Sequence, residues 1–154
     1  MYTDPFGLFD IAYGDEGTKA LVASLRKRSK TFDAAVTKIE NDHSVLVTVG
    51  QGSTIPCAGS GGCTIATGLN SQGQQGIAVT WDPGGVLSDH HVEALGGGAA
   101  DINTVLAHEV AGHAAGGVSV EGGNLTLRCD QACATAVEQQ VRAEYGAPPR
   151  KSPY

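Results

Sequence analysis

The sequence predicts one α+β domain, in which a small antiparallel sheet packs against helices. Three segments repeat apolar residues at helical spacing, and two short β-branched segments lie between the first and the second of them. The 154 residues suffice for one domain with its own core. Hydrophobic residues make up 41% and charged residues 17%, which is typical of a folded chain rather than a disordered one.

The first predicted helix covers residues 18–40. Its apolar residues recur in steps of three, four and seven, namely Leu21, Leu25, Phe32, Val36 and Ile39. Thr18 is expected to be the N-cap, because its hydroxyl can accept a hydrogen bond from the first turn.

Two strands are expected next. SVLVTVG (44–50) is rich in β-branched residues, and GIAVTWDPGG (76–85) ends in an Asp-Pro-Gly turn. Residues 51–76 are expected to form a long hairpin or loop held by Cys57 and Cys63. Trp81 is expected in the core, and the strand 76–81 could bind an extended peptide by edge pairing.

Two more helices complete the prediction. Residues 102–115 follow Asp101 as an N-cap and stop at a glycine pair, within the stretch LAHEVAGHAAGG (106–117). Residues 130–145 form the C-terminal helix, which Gly146 and two prolines end.

The spacing of His108 and His113 constrains the first of these two helices. Each residue of an α-helix turns about 100°, so residues five apart point about 140° away from each other. The two imidazoles can share a metal ion only if one turn widens into a π-bulge. Gly112, directly before His113, would make such a distortion easier.

Zinc chemistry assigns roles to the residues of this stretch. Two neutral imidazoles, His108 and His113, and one carboxylate would hold Zn²⁺, and Glu109 would accept the proton of the attacking water as general base. The other interpretation is a pair of core or capping histidines. For the carboxylate, Glu138 is favoured because a second helix can fold back across the first, while Asp130 and Glu121 are the alternatives.

Short motifs resemble zinc peptidases. HEVAGH is similar to the H-E-x-x-G-H motif of dipeptidyl peptidase III. LAHE, the strand IAVTWDP and the C-terminal VEQQVRAEYGAPPRKSPY resemble the metallopeptidase toxin domains of Rhs-type polymorphic toxins, in which a helix with glutamate and arginine precedes E-x-G-x-P-x-R-x-x-Y. The matching positions are Glu138, Arg142, Glu144, Gly146, Pro148, Arg150 and Tyr154. These domains usually carry H-E-x-x-H and an acidic pair that this chain lacks, which leaves the third ligand open.

The resemblance implies a zincin-like fold, with the sheet packed on a zinc-binding helix and a C-terminal helix. DPFGL (4–8) resembles the motif that ends the Rhs shell, so residues 1–10 would be a shell remnant and 11–154 the toxin domain. It also implies an antibacterial metallopeptidase effector of type VI secretion, with a peptide or protein substrate, a cognate immunity protein and the parent Rhs shell as partners.

Other functions remain open from the residues. A zinc amidase of cell-wall peptides would use the same ligands, and a non-enzymatic domain would keep the helix as structure only. His90, His91 or Tyr145 could stabilise an oxyanion. Arg142 could pair with a carboxylate near the metal or form a surface salt bridge.

Charge and cysteines limit the partners and the compartment. A net charge of −6 argues against nucleic-acid binding. The sequence has no run of about 18 apolar residues, so membrane insertion is not expected. The N-terminus does not read as a secretory signal. Four cysteines permit two disulfides in three connectivities, or unpaired core residues. Paired cysteines would suit the recipient's periplasm, although the cytoplasm is not excluded.

Overall fold

The computed structural model describes residues 10–57, 61–83 and 102–149. The helix predicted over 18–40 forms as two helices, α1 (Glu16–Arg28) and α2 (Lys30–Asn41). Ser29 between them has an extended backbone, and its side chain accepts a hydrogen bond from Phe32 N, so it caps α2. The N-cap of α1 is Asp15 and not Thr18, because the Asp15 carboxylate accepts from Thr18 N at 2.7 Å.

Glu144 fixes the start of α2 from a distant part of the chain. Its carboxylate accepts from the Ser29 hydroxyl at 2.6 Å and from Thr31 N at 2.9 Å and the Thr31 hydroxyl at 2.5 Å. Burial acts to raise the pKa of Glu144, but these hydrogen bonds and the charge of Lys30 outweigh it and lower that pKa below its ordinary value of 4.5.

The main sheet is mixed, so the prediction of an antiparallel sheet is wrong. Its strands are β1 (Ile11–Tyr13), β2 (Val45–Gln51), β3 (Gly62–Leu69) and β4 (Gln75–Trp81), in the order β1-β2-β4-β3. β2 runs parallel to β1 and to β4, and only β3 is antiparallel to its neighbour β4. The crossover through α1 and α2 makes β1 and β2 parallel, and β3 carries the chain back so that β2 and β4 are parallel too.

β3 lies inside the segment predicted as a hairpin or loop. The residues that face the helices at its start, Gly62 and Thr64, are small or polar, whereas Ile65 and Leu69 are 40% and 69% exposed. The usual alternation of inward apolar and outward polar residues is therefore absent from this strand, and sequence periodicity does not reveal it.

The core lies between one face of the sheet and the helices. Alternate residues of β2 and β4 point into it and pack against residues of α2 and of the helical region 102–114. These core residues are Val47, Val49, Ile77 and Val79 of the strands, Phe32 and Val36 of α2, and Leu106 and Val110 of the helical region. Trp81 is 8% exposed and donates from Nε1 to the Thr18 hydroxyl at 2.9 Å, so its predicted place in the core is confirmed.

The C-terminal part contains the remaining elements. Helix α3 (Ile102–Leu106) continues as a π-helical segment (Ala107–Ala114) and is followed by the hairpin β5 (Val118–Glu121) and β6 (Asn124–Leu127). Helix α4 (Gln131–Tyr145) confirms the predicted C-terminal helix. Asp130 caps its start, and Gly146 ends it with a φ of 84°, a left-handed conformation that glycine adopts most easily.

All four cysteines are paired, as Cys57–Cys63 and Cys129–Cys133. Within the described ranges, none of the helices has the length and apolar character needed to span a bilayer. The predicted N-cap Asp101 and the DPFGL motif lie outside the described residues.

Candidate metal centre

The widened turn predicted between the two histidines is confirmed. The segment Ala107–Ala114 is π-helical over eight residues, and Ala115 N donates to the carbonyl of Val110, five residues earlier. Residues five apart are neighbours on one face of a π-helix, so His108 and His113 lie side by side. Their ring centroids are 4.9 Å apart, with the rings at 76° to each other.

Gly112 has a packing role as well. A Cβ atom at this position would lie 2.6 Å from the Cβ and 2.7 Å from the Cα of Ala134 in α4. These distances are well below a carbon–carbon contact of about 3.5–4.0 Å. The missing side chain therefore lets the π-helical segment approach α4 closely.

His108 is held by α4 through Glu138. Its Nδ1 lies 3.0 Å from Glu138 Oε1, and the other oxygen of Glu138 accepts from Arg142 Nε at 2.8 Å. All three side chains are buried. Because a carboxylate only accepts, Nδ1 of His108 is the donor in this hydrogen bond, and Arg142 balances the charge of the carboxylate.

His113 is held in the same way by the main chain. Its Nδ1 lies 2.6 Å from the carbonyl oxygen of Cys129, which can only accept, so this nitrogen also carries the proton. In each ring, Nε2 is therefore the nitrogen that could bind a metal ion. The two Nε2 atoms lie close to the same atom, at 2.7 Å and 3.2 Å from Oε1 of Gln131.

Glu109 completes a group that could hold a metal ion. His108, Glu109 and His113 each offer one ligand atom, and these atoms all lie within 4.8 Å of one another. Glu109 is 8% exposed, and its Oε2 accepts from the Thr64 hydroxyl at 2.5 Å. The start of β3 lies against it, because a Cβ on Gly62 would be 2.7 Å from Glu109 Cγ.

None of the three carboxylates considered as third ligand lies in this group. Glu138 contacts Nδ1 of His108 and not Nε2, and both of its oxygens already accept hydrogen bonds. Asp130 is exposed and accepts from Cys133 N at 2.9 Å as a helix cap. Glu121 is exposed at the end of β5.

The other predicted site residues have defined places. Arg142 is buried and pairs with the carboxylate of Glu138 beside His108, so the alternative prediction of a surface salt bridge is wrong. The Tyr145 hydroxyl lies 2.9 Å from that of Thr104. His90 and His91 fall outside the described residues. The prediction of edge pairing by the strand 76–81 is wrong, because β4 pairs with β2 on one side and with β3 on the other.

Two contributors to the site, Thr64 and Gln131, are missing from the sequence prediction. Thr64 lies on a strand that periodicity does not reveal, although the neighbouring Cys63, which is disulfide-bonded to Cys57, marks the segment. Gln131 lies between Cys129 and Cys133, but the sequence leaves the pairing of these cysteines open, so no local signal indicates its contact with the histidines.

Comparison with known proteins gives no match to a family model, to a curated protein or to a solved structure. The functional assignment therefore depends on the geometry of the site and on the motifs.

Proposed function

We propose that this chain is a zinc-dependent metallopeptidase that acts as a secreted antibacterial effector of the Rhs type. One observation carries the proposal: two buried histidines on a π-helical segment and a buried glutamate each offer a ligand atom, and these three atoms lie within 4.8 Å of one another.

The donors fit zinc. Zn²⁺ is commonly bound by neutral imidazole nitrogen and carboxylate oxygen, and its histidine ligands usually donate their second N–H to a carboxylate or a backbone carbonyl. His108 and His113 have one partner of each kind, Glu138 and the Cys129 carbonyl. We therefore assign His108 and His113 as ligands and Glu138 as the residue that orients His108, in place of its predicted role as a direct ligand.

Glu109 is the general base in this proposal. An ion bound at the site would lower the pKa of a water molecule and polarise the carbonyl of the substrate. The Thr64 hydroxyl occupies Oε2 of Glu109 and fixes the carboxylate, which leaves Oε1 to accept the proton of the attacking water. Burial beside β3 keeps this carboxylate close to the imidazoles.

The biological setting is proposed from the motifs and the disulfides. DPFGL and the C-terminal motif support release from an Rhs shell, with a cognate immunity protein as a further partner. The two disulfides support action in an oxidising compartment, such as the periplasm of a recipient cell, on a peptide or protein substrate.

Metal analysis and toxicity test the proposal together. The purified chain should contain about one zinc ion, and Glu109→Gln, which keeps the volume of the side chain, should retain the zinc but lose toxicity when directed to the periplasm. Glu16→Gln, on the exposed side of α1, is the control and should remain toxic. A chain without zinc, or a fully toxic Glu109→Gln variant, would contradict the proposal.

Two further measurements separate the alternatives. Cleavage of purified peptidoglycan and not of a protein mixture would indicate an amidase. For a non-enzymatic domain, a chelator should leave the melting temperature unchanged, whereas removal of a bound ion lowers it.

A further inference from the structure

We infer that Gln131 supplies the third protein donor at this metal site, through its amide oxygen. The inference rests on the proposed function and names a ligand that the sequence motifs do not indicate. Gln131 Oε1 lies 2.7 Å from Nε2 of His108 and 3.2 Å from Nε2 of His113.

The positions of the two rings make this contact informative. Each Nδ1 contacts an oxygen that can only accept, Glu138 Oε1 or the Cys129 carbonyl, so Nε2 is the nitrogen that each ring offers to a metal ion. Both Nε2 atoms lie against the same amide oxygen, which brings three possible donor atoms together. Donors about 2.0–2.1 Å from one tetrahedral ion are roughly 3.3 Å apart, so the distance from Gln131 Oε1 to His113 Nε2 already fits a shared ion, and the distance to His108 Nε2 is shorter by about 0.6 Å.

One short loop, residues 129–133, both carries Gln131 and orients His113. The Cys129–Cys133 disulfide closes this loop, whose Cys129 carbonyl accepts from His113. A Cβ on Gly116 would lie 2.6 Å from Cys129 Cβ, so the loop packs directly on the end of the metal-binding helix. Gln131 is the first residue of α4, and this position places its side chain next to the two rings.

An amide ligand has a chemical consequence. A neutral oxygen donates less charge than a carboxylate, so a set of two imidazoles and one amide leaves the ion more electrophilic than the two-histidine, one-carboxylate set of the sequence prediction. It also binds the ion less tightly, and a carboxylate at position 131 should therefore increase the affinity.

The test is a metal titration of four metal-free proteins: wild type, Gln131→Ala, Gln131→Glu and the control Gln140→Ala. Gln140 is exposed on the same helix as Gln131. Zinc affinity is measured by competition with a chromophoric chelator, and the visible spectrum of bound Co²⁺ reports the kind and number of ligands. Thermal melts without metal show whether the variants are folded.

The expected results differ between the variants. Gln131→Ala should weaken zinc binding by at least about 10-fold and change the Co²⁺ spectrum. A loss of this size is already expected when a residue that only hydrogen-bonds to a ligand is removed, so a direct ligand should lose at least as much. Gln131→Glu should bind zinc more tightly with a changed spectrum, and Gln140→Ala should match wild type.

Three results would overturn the inference. If Gln131→Ala binds zinc as tightly as wild type with the same Co²⁺ spectrum, Gln131 is not a ligand. If it binds zinc more tightly, the amide instead donates its NH₂ to both rings and is displaced by the ion. If wild type itself binds no zinc, both the inference and the proposed function fail. The first two results, in contrast, leave the proposed function intact.

Discussion

Replacing Gly112 with alanine should destabilise this protein and weaken its metal site, although alanine is the better helix former. The new Cβ would lie 2.6 Å from the Cβ of Ala134 and 2.7 Å from its Cα. Ordinary carbon–carbon contacts are about 3.5–4.0 Å, so α4 has to move away from the π-helical segment by about 1 Å. Part of the clash is with backbone, which a change of rotamer cannot relieve.

Two opposing terms set the magnitude. Overpacking in a well-packed core costs about 1–3 kcal/mol, whereas exchanging glycine for alanine inside a helix gains about 0.5–1 kcal/mol. The net loss of about 1–2 kcal/mol should lower the melting temperature by roughly 2–8 °C in a chain of this size. The same shift would lengthen the 3.0 Å contact of His108 with Glu138 beyond hydrogen-bonding distance, which should weaken zinc binding by about 10–100-fold.

The assay is a thermal melt in chelator, followed by a zinc competition titration. Gly17→Ala in α1 is the matched control, because its Cβ would meet only Asp15 Oδ1 at 3.4 Å, and it should be neutral or slightly stabilising. A Gly112→Ala protein that melts at or above the temperature of wild type and binds zinc equally well would refute the close packing of these two helices.

Three further outcomes are expected. Glu138→Gln should raise the zinc Kd by about 10–100-fold in a chelator competition, as for a residue that orients a ligand; complete loss of binding would instead support direct ligation. Replacing both cysteines of the Cys129–Cys133 pair with serine should weaken zinc binding, whereas the same change at Cys57–Cys63 should not, and equal affinities would contradict the role of the loop. Glu144→Gln should make the fold less sensitive to acid. Because the pKa of Glu144 is lowered in the folded state, its hydrogen bonds stabilise the fold above pH 4.5, and this stabilisation is lost as the pH falls through the folded-state pKa. If the melting temperatures of variant and wild type fall in parallel below pH 4.5, this role of Glu144 is refuted.

Elements with a local signal could be predicted from the sequence. The strands β2 and β4 show β-branched runs next to turn residues, and α4 has a cap at each end, so the chain segment itself determines them. The π-helical segment is predictable for a different reason: if His108 and His113 act together, their spacing admits only a widened turn.

Features that depend on distant parts of the chain could not be predicted. The direction of β2 relative to β4 follows from the insertion of β3, whose inward residues are small because the helix with Glu109 packs against them. The break at Ser29 is stabilised by Glu144, 115 residues away. Gln131 contacts the histidines because the start of α4 lies beside them, and no spacing in the sequence expresses that contact.

The two histidines are not equivalent, and their partners suggest why. The Nδ1 proton of His108 faces a carboxylate, whereas that of His113 faces a neutral carbonyl. A hydrogen bond to a charged acceptor is the stronger of the two, so the ring of His108 should be oriented more firmly than that of His113. Arg142 in turn holds the same carboxylate through its Nε. The orientation of His108 thus depends on a buried ion pair on α4, and the extra residue that widens the helix is compatible with metal binding because it brings both Nε2 atoms next to the same atom of α4.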